Sequence, residues 1–151
     1  VLEAHWPAYV STPEALQSAS ASLMRTVSQL RQASLHVVMV APGVDQPHEV
    51  PACLAREPAE LCETTRVAAQ ANRQAAFAML QRAARMEGVQ LLDPMCVLCD
   101  RDACPAVSGS AVLYSDRHHL TVAGAMHLLP AFLPMLESSA PAAHVVGGAR
   151  P

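Results

Sequence analysis

Apolar positions change period twice within the first forty residues. Leu16, Leu23, Val27 and Leu30 recur at helical spacing, with Gln17, Arg25, Gln29 and Gln32 on the opposite face, which predicts an amphipathic helix. Ser11-Thr12-Pro13-Glu14 opens it with a hydroxyl cap, an early proline and a first-turn carboxylate, and the pattern runs to about Ala33. Leu35-His36-Val37-Val38-Met39-Val40 is then a continuous apolar run stopped by Pro42 and Gly43, as in a parallel-sheet strand buried on both faces. Val1 to Trp6 reads as the end of an earlier strand.

Asp45 to Glu63 holds three prolines and two cysteines without sustained periodicity, and is expected to be a loop stapled by a disulfide. Thr64 or Thr65 opens a second helix, with Val67, Ala71, Ala75, Ala78 or Met79, and Ala83 as its inward face and Gly88 as its stop. Val89 to Leu92 follows as a short buried strand. Alternation of strand and helix with short crossovers predicts an α/β domain built on a parallel sheet. Asp93 to Gly109 is irregular, and Ala111 to Tyr114 is a short extended piece. Thr121 caps a last helix in which Val122, Ala125, Leu129 and Phe132 or Leu133 face the sheet. The apolar stretch from Val122 to Leu136 is too short for a bilayer span and contains Pro130 and Pro134, so it reads as a buried helix with a break. From Ser138 onward a frayed tail is expected.

Composition narrows the class. With 52% hydrophobic residues in 151, the chain has enough apolar surface for one core. A net charge of -3 with no Lys/Arg cluster or aromatic ladder argues against a nucleic-acid partner. The opening residues lack the basic and long apolar segments of a signal peptide. Because they lie inside an apolar strand, we expect a fragment whose N-terminal elements are missing.

Five cysteines, Cys53, Cys62, Cys96, Cys99 and Cys104, are many for a domain of this size and suit an oxidising compartment. Two arrangements are open. Cys96, Cys99 and Cys104 with His118 or His119 could ligate zinc, although the second knuckle of a structural zinc site is lacking. The preferred arrangement pairs Cys53 with Cys62 and Cys99 with Cys104, leaving Cys96 free. His5, His36, His48, His127 and His144 read as structural or exposed, and the methionines as core packing.

Asp116 and His119 form an Asp-x-x-His pair just before a capped helix, and this spacing lets both side chains project toward one cleft at the carboxyl edge of a parallel sheet. A serine hydroxyl needs an adjacent base, and that base gains from a carboxylate fixing its other ring nitrogen. The bland alternative is that the pair only stabilises its loop.

The string Leu113-Tyr114-Ser115-Asp116-Arg117-His118-His119-Leu120-Thr121-Val122-Ala123-Gly124-Ala125 resembles the last block of the SGNH hydrolase superfamily, where Asp-x-x-His-Leu-Ser/Thr-x-x-Gly carries the Asp and His of a triad. Closest in texture is the periplasmic SGNH domain fused to acyltransferase family 3 membrane proteins. Its Trp-x-x-Tyr stretch, Val-Pro-x-Cys loop and Cys-rich segment are matched in order by His5-Trp6-Pro7-Ala8-Tyr9, Val50-Pro51-Ala52-Cys53 and Cys99-Asp100-Arg101-Asp102-Ala103-Cys104-Pro105.

The resemblance implies a three-layer α/β fold with a flavodoxin-like parallel sheet, N-terminally truncated, with residues 1–137 as a partial domain and 138–151 as a tail. It implies Asp116 as orienter and His119 as general base. The Ser nucleophile lies in a Gly-Asp-Ser block outside this chain, since Ser108, Ser110 and Ser115 sit in no such context. The Gly and Asn donors of the oxyanion hole are also absent, His5 and Trp6 standing where the Asn is expected. His118 is expected to face outward or touch substrate weakly. No metal or organic cofactor is implied. The expected partners are an acyl donor delivered by a membrane acyltransferase domain and a carbohydrate acceptor, on the periplasmic side of the inner membrane, to which the full-length protein is tethered. The alternative is a non-catalytic carbohydrate-binding or interaction domain on the same fold.

Overall fold

Helix α1 (Pro13–Gln32) begins where the sequence sets its cap: the Thr12 side chain accepts from the Ala15 N–H at 3.1 Å, and Pro13 occupies a first-turn position that needs no donor. Its end has no glycine signal. Ser34 takes φ 59 and the Leu35 N–H returns to the Leu30 carbonyl at 3.0 Å, closing the last turn as a glycine commonly does. That use of Leu35 explains why strand β1 (Val37–Val40) starts later than the apolar run suggests. The structure is a computed structural model that describes residues 1–137; the expected tail from Ser138 lies outside the described residues.

β1 pairs in parallel with β3 (Val89–Leu92), Val37 opposite Val89 and Val40 opposite Leu92, and Leu2 forms a parallel bridge to Met39 on the other side. The N-terminal strand expected through Trp6 is therefore reduced to that bridge. Pro7 has no N–H to extend a ladder, and Trp6–Tyr9 turn into a 3-10 helix with the Trp6 indole N–H donating to the Val40 carbonyl at 2.7 Å. The architecture is α/β. Of the expected three-layer sheet, the described residues hold the parallel pair and the Leu2 bridge.

The connection from β1 to β3 runs through α2 (Val50–Leu54), a 3-10 turn at Ala59–Leu61, strand β2 (Thr64–Thr65) and helix α3 (Arg66–Ala83). The expected loop between Asp45 and Glu63 thus contains a short helix, and the Cys53–Cys62 disulfide closes it. The Thr65 side chain caps α3 by accepting from the Ala68 N–H at 3.2 Å. The inward face of α3 matches the expected one at Met79 and Ala83 and differs before them. Ala69, Arg73, Ala76, Met79, Leu80 and Ala83 are buried, whereas Val67 is 75% exposed and Ala71 and Ala75 face solvent. An alanine-rich helix offers little apolar contrast, and the true face is marked by an arginine that hydropathy scores as polar. Gly88, at φ 71, serves the turn into β3 and not the end of α3, which has already stopped at Ala83.

Beyond β3 the chain forms α4 (Met95–Leu98), then β4 (Ala103–Cys104) antiparallel to β2, and the hairpin of β5 (Val107–Ser108) with β6 (Ala111–Val112) turned by Gly109. The Cys99–Cys104 disulfide closes the turn before β4, leaving Cys96 as an exposed thiol, so a three-thiolate zinc site is ruled out by consumption of its ligands. Two cores result. One packs α1 and α3 on β1 and β3, and the other gathers Val44, Val50, Met95, Leu113 and Tyr114 around the two disulfides.

Helix α5 (Val122–Glu137) departs from expectation twice. It continues through Pro130 and Pro134 without a break, each proline removing one backbone donor while the helix carries on around it. It is also not buried: Gly124 alone is enclosed, and Val122 is 82% exposed. Ala125, Leu129 and Phe132 face the sheet across a cleft that Val40 and Leu92 also line. Among the described residues, no helix is long and apolar enough to cross a membrane.

Candidate active site

The turn that carries Asp116 and His119 is pinned at both feet. Tyr114 and Leu120 form an antiparallel bridge, and the Ser115 N–H donates to the His119 carbonyl at 2.8 Å. Thr121 then joins turn to helix. Its N–H donates to the Leu113 carbonyl at 2.9 Å, its hydroxyl donates to the Val112 carbonyl at 2.7 Å, and the same oxygen accepts from the Gly124 N–H at 3.0 Å. Gly124 is required by the closeness of this junction, because a Cβ there would lie 2.2 Å from the Leu113 carbonyl oxygen.

Within the turn, Asp116 divides its two oxygens. Oδ1 accepts from the backbone N–H groups of His118 and His119, each at 2.8 Å, and Oδ2 meets His119 Nδ1 at 2.6 Å. The His119 N–H foremost, then the His118 N–H and the His119 ring, hold the Asp116 carboxyl well below the usual carboxylate range. The carboxylate is therefore ionised, so the proton in the short Asp116–His119 bond belongs to Nδ1. Nε2 of a neutral His119 is left as the basic nitrogen, and the ring is 68% exposed.

The turn stands over a cleft of about 510 Å³ at the carboxyl ends of β1 and β3, walled by Val40, Leu92, Leu98, Leu128 and Phe132, with His119 at its edge. Parallel sheets place their sites at this end. His118, expected to face outward or to touch substrate weakly, is exposed and also lines the cleft: its ring is stacked on His5 with centroids 5.1 Å apart and tilted against His119 at 4.1 Å. His5, expected to be structural or exposed, is exposed and lines the cleft as well. No local signal in the sequence joins it to the pair, since it arrives from the opposite end of the chain through the Leu2 bridge.

Arg73 is a second residue that the sequence reading did not single out. Its guanidinium forks onto Asp93 at 2.5 and 2.6 Å, donates to the Pro42 carbonyl at 3.0 Å, and lies over the Phe77 ring. It lines the cleft wall while fully engaged in these bonds. Ser115 Oγ lies 3.2 Å from the His119 carbonyl, and no serine hydroxyl among the described residues bonds to the His119 ring. One ligand atom each from Asp116, His118 and His119 falls within 4.8 Å of the others, so among the described residues these three form a group that could hold a cation.

No curated protein and no solved structure matches this sequence. The family described as the SGNH domain fused to AT3 domains matches residues 1–134, from the Leu2 bridge through the Asp116–His119 turn and most of α5. With nearly the whole described chain matched, the protein belongs to that family of SGNH domains.

Proposed function

We propose that this chain is part of a serine-dependent O-acyltransferase or esterase domain that moves an acyl group, acetyl in the simplest case, to or from a carbohydrate hydroxyl. The observation that carries this reading is the Asp116–His119 pair, bonded through Nδ1 at 2.6 Å, with His119 at the edge of the cleft. No Gly-Asp-Ser block stands within these 151 residues, so on this reading the nucleophilic serine is supplied from outside them.

In the reaction, His119 Nε2 takes the serine proton as the serine oxygen attacks the acyl carbonyl. The Nδ1–H held by Asp116 stabilises the imidazolium that forms. Collapse of the tetrahedral intermediate expels the alcohol of the donor, which leaves with the proton from His119. The acceptor hydroxyl, or water, then gives its proton to the same nitrogen and attacks the acyl-serine carbonyl, and collapse of this second intermediate expels the serine oxygen, which takes the proton back from His119. Two disulfides fit a periplasmic domain. The acyl donor is delivered by a membrane domain of the full-length protein, which tethers this one.

The test compares p-nitrophenyl acetate hydrolysis by the 151-residue chain, by a version extended upstream through the Gly-Asp-Ser block, and by that extension carrying His119→Ala. Activity in the unmutated extension alone supports the proposal. Equal activity in all three would mean that other residues do the chemistry. An inactive extension that still binds the sugar acceptor would point to the carbohydrate-binding alternative.

A further inference from the structure

Gln46 is a completely buried amide that takes no part in the chemistry described above. Burial of such a group is costly unless its hydrogen bonds are made, and both ends of this one are. Nε2 donates to the Cys104 carbonyl at 3.1 Å, and Oε1 accepts from the Thr64 N–H at 2.9 Å. Thr64 and Cys104 face each other across the β2–β4 pair, and Cys104 is bonded to Cys99, so the side chain is anchored in the disulfide-bound core.

The backbone of Gln46 turns the other way. Its N–H donates to the Arg117 carbonyl at 2.7 Å, and its own carbonyl accepts from Arg117 Nε at 3.1 Å. Arg117 sits in the middle of the Asp116–His119 turn. The other hydrogen bonds of residues 115–119 are internal to the turn, so they fix its shape and not its place. The turn's working side chains are poorly covered: Asp116 is 35% exposed and His119 68%. Apart from the His118 ring, stacked on His5 and tilted against His119, packing does little to hold them.

We propose that Gln46 is a positioning residue for the Asp116–His119 pair: its amide locks into the β2–β4 core and its backbone clamps the turn through Arg117. As a role in catalysis this rests on the reading of that pair as orienter and base. In physical terms, a turn held only by its feet samples several tilts, and each tilt moves the His119 ring relative to whatever it must deprotonate.

The first experiment uses the 151-residue chain and needs no nucleophile. Imidazole nitrogen NMR in the wild type is expected to show His119 as the Nδ1–H tautomer with a strongly downfield Nδ1 proton. Gln46→Met keeps the side-chain volume but removes both amide bonds; it is expected to lose that proton signal to exchange and to mix the tautomers. Arg117→Met alters an exposed residue and cuts one of the two clamp bonds, so it is expected to give an intermediate loss at an unchanged thermal midpoint. The double variant should be no worse than Gln46→Met.

A folded Gln46→Met protein that keeps the wild-type His119 signal overturns the proposal. If that variant fails to fold, Arg117→Met decides, and an unaltered His119 signal there overturns it. In a serine-containing extension, Gln46→Met is expected to lower kcat about tenfold to a hundredfold, as small misplacements do, with KM unchanged. An extension that is inactive from the outset, while Gln46→Met still loosens the pair by NMR, sinks the catalytic reading and leaves the clamp standing.

Discussion

Asp93 and Asp116 are built alike and placed differently. Each carboxylate follows an extended segment, meets a nitrogen side chain, and accepts from a backbone N–H just downstream, Asp93 from Met95 at 3.0 Å and Asp116 from His118 and His119 at 2.8 Å. The partner of Asp93 is a guanidinium with a side chain only 7% exposed, charged at every relevant pH and engaged by both prongs of its fork. The partner of Asp116 is an imidazole that can gain and lose a proton in contact with solvent. One pair can only hold the fold together, because nothing in it can change. The other contributes little packing and keeps a basic nitrogen available.

The sharpest way to break this contrast is through activity. In a serine-containing extension, Asp116→Ala removes the group that fixes the His119 tautomer, and kcat is expected to fall by about ten-thousand-fold. The thermal midpoint should shift little, since the turn is exposed. A loss of activity that merely follows a loss of folded protein, measured by circular dichroism, would place Asp116 with Asp93 as a structural residue.

Stability gives the converse. Arg73→Met leaves the Asp93 carboxylate without its buried counter-charge and is expected to cost about 3–5 kcal/mol in urea unfolding. Adding Asp93→Leu removes the stranded charge, and the double variant should recover most of that loss. A deficit of about 1 kcal/mol would remain, because the Asp93 oxygen that accepts from the Met95 N–H is gone. A double variant as unstable as the single one would show that Arg73 acts through the Pro42 carbonyl or Phe77 and not through Asp93.

The smallest effect is a pH dependence. Asp116 has its carboxyl pushed down in the folded state, so its contribution to stability is complete above the ordinary carboxylate value and drains away as acid protonates it. The urea midpoint difference between wild type and Asp116→Asn should therefore shrink as the pH falls from about 4 to 2. A difference that instead grows in acid would contradict the bonds drawn to Oδ1.

What the sequence disclosed and what it hid divide along the same physical line. The caps at Thr12 and Thr65, the parallel strands and the Asp-x-x-His spacing are local signals, each written within a few residues. The cysteine pairs span nine and five residues and were also within reach. The inward face of α3 was misplaced before Met79 because its marker there is Arg73, whose burial depends on Asp93 twenty positions later. The exposure of α5 was missed because periodicity reports which side is apolar and not whether anything covers it. Gln46 was invisible for a similar reason: its partners lie at Thr64, Cys104 and Arg117, and a lone glutamine in a loop carries no pattern.

The close approach at Gly124 bears on how mutational surveys of this family should be read. A single methyl group added there must displace the Leu113 carbonyl or tilt α5, and the helix leads straight out of the turn that carries His119. In an activity screen across every position, Gly124 is expected to tolerate substitution as poorly as His119, although it has no chemistry to lose. Intolerance alone would then put a spacer and a base in the same class, and only a readout that counts folded molecules separately from working ones would tell them apart.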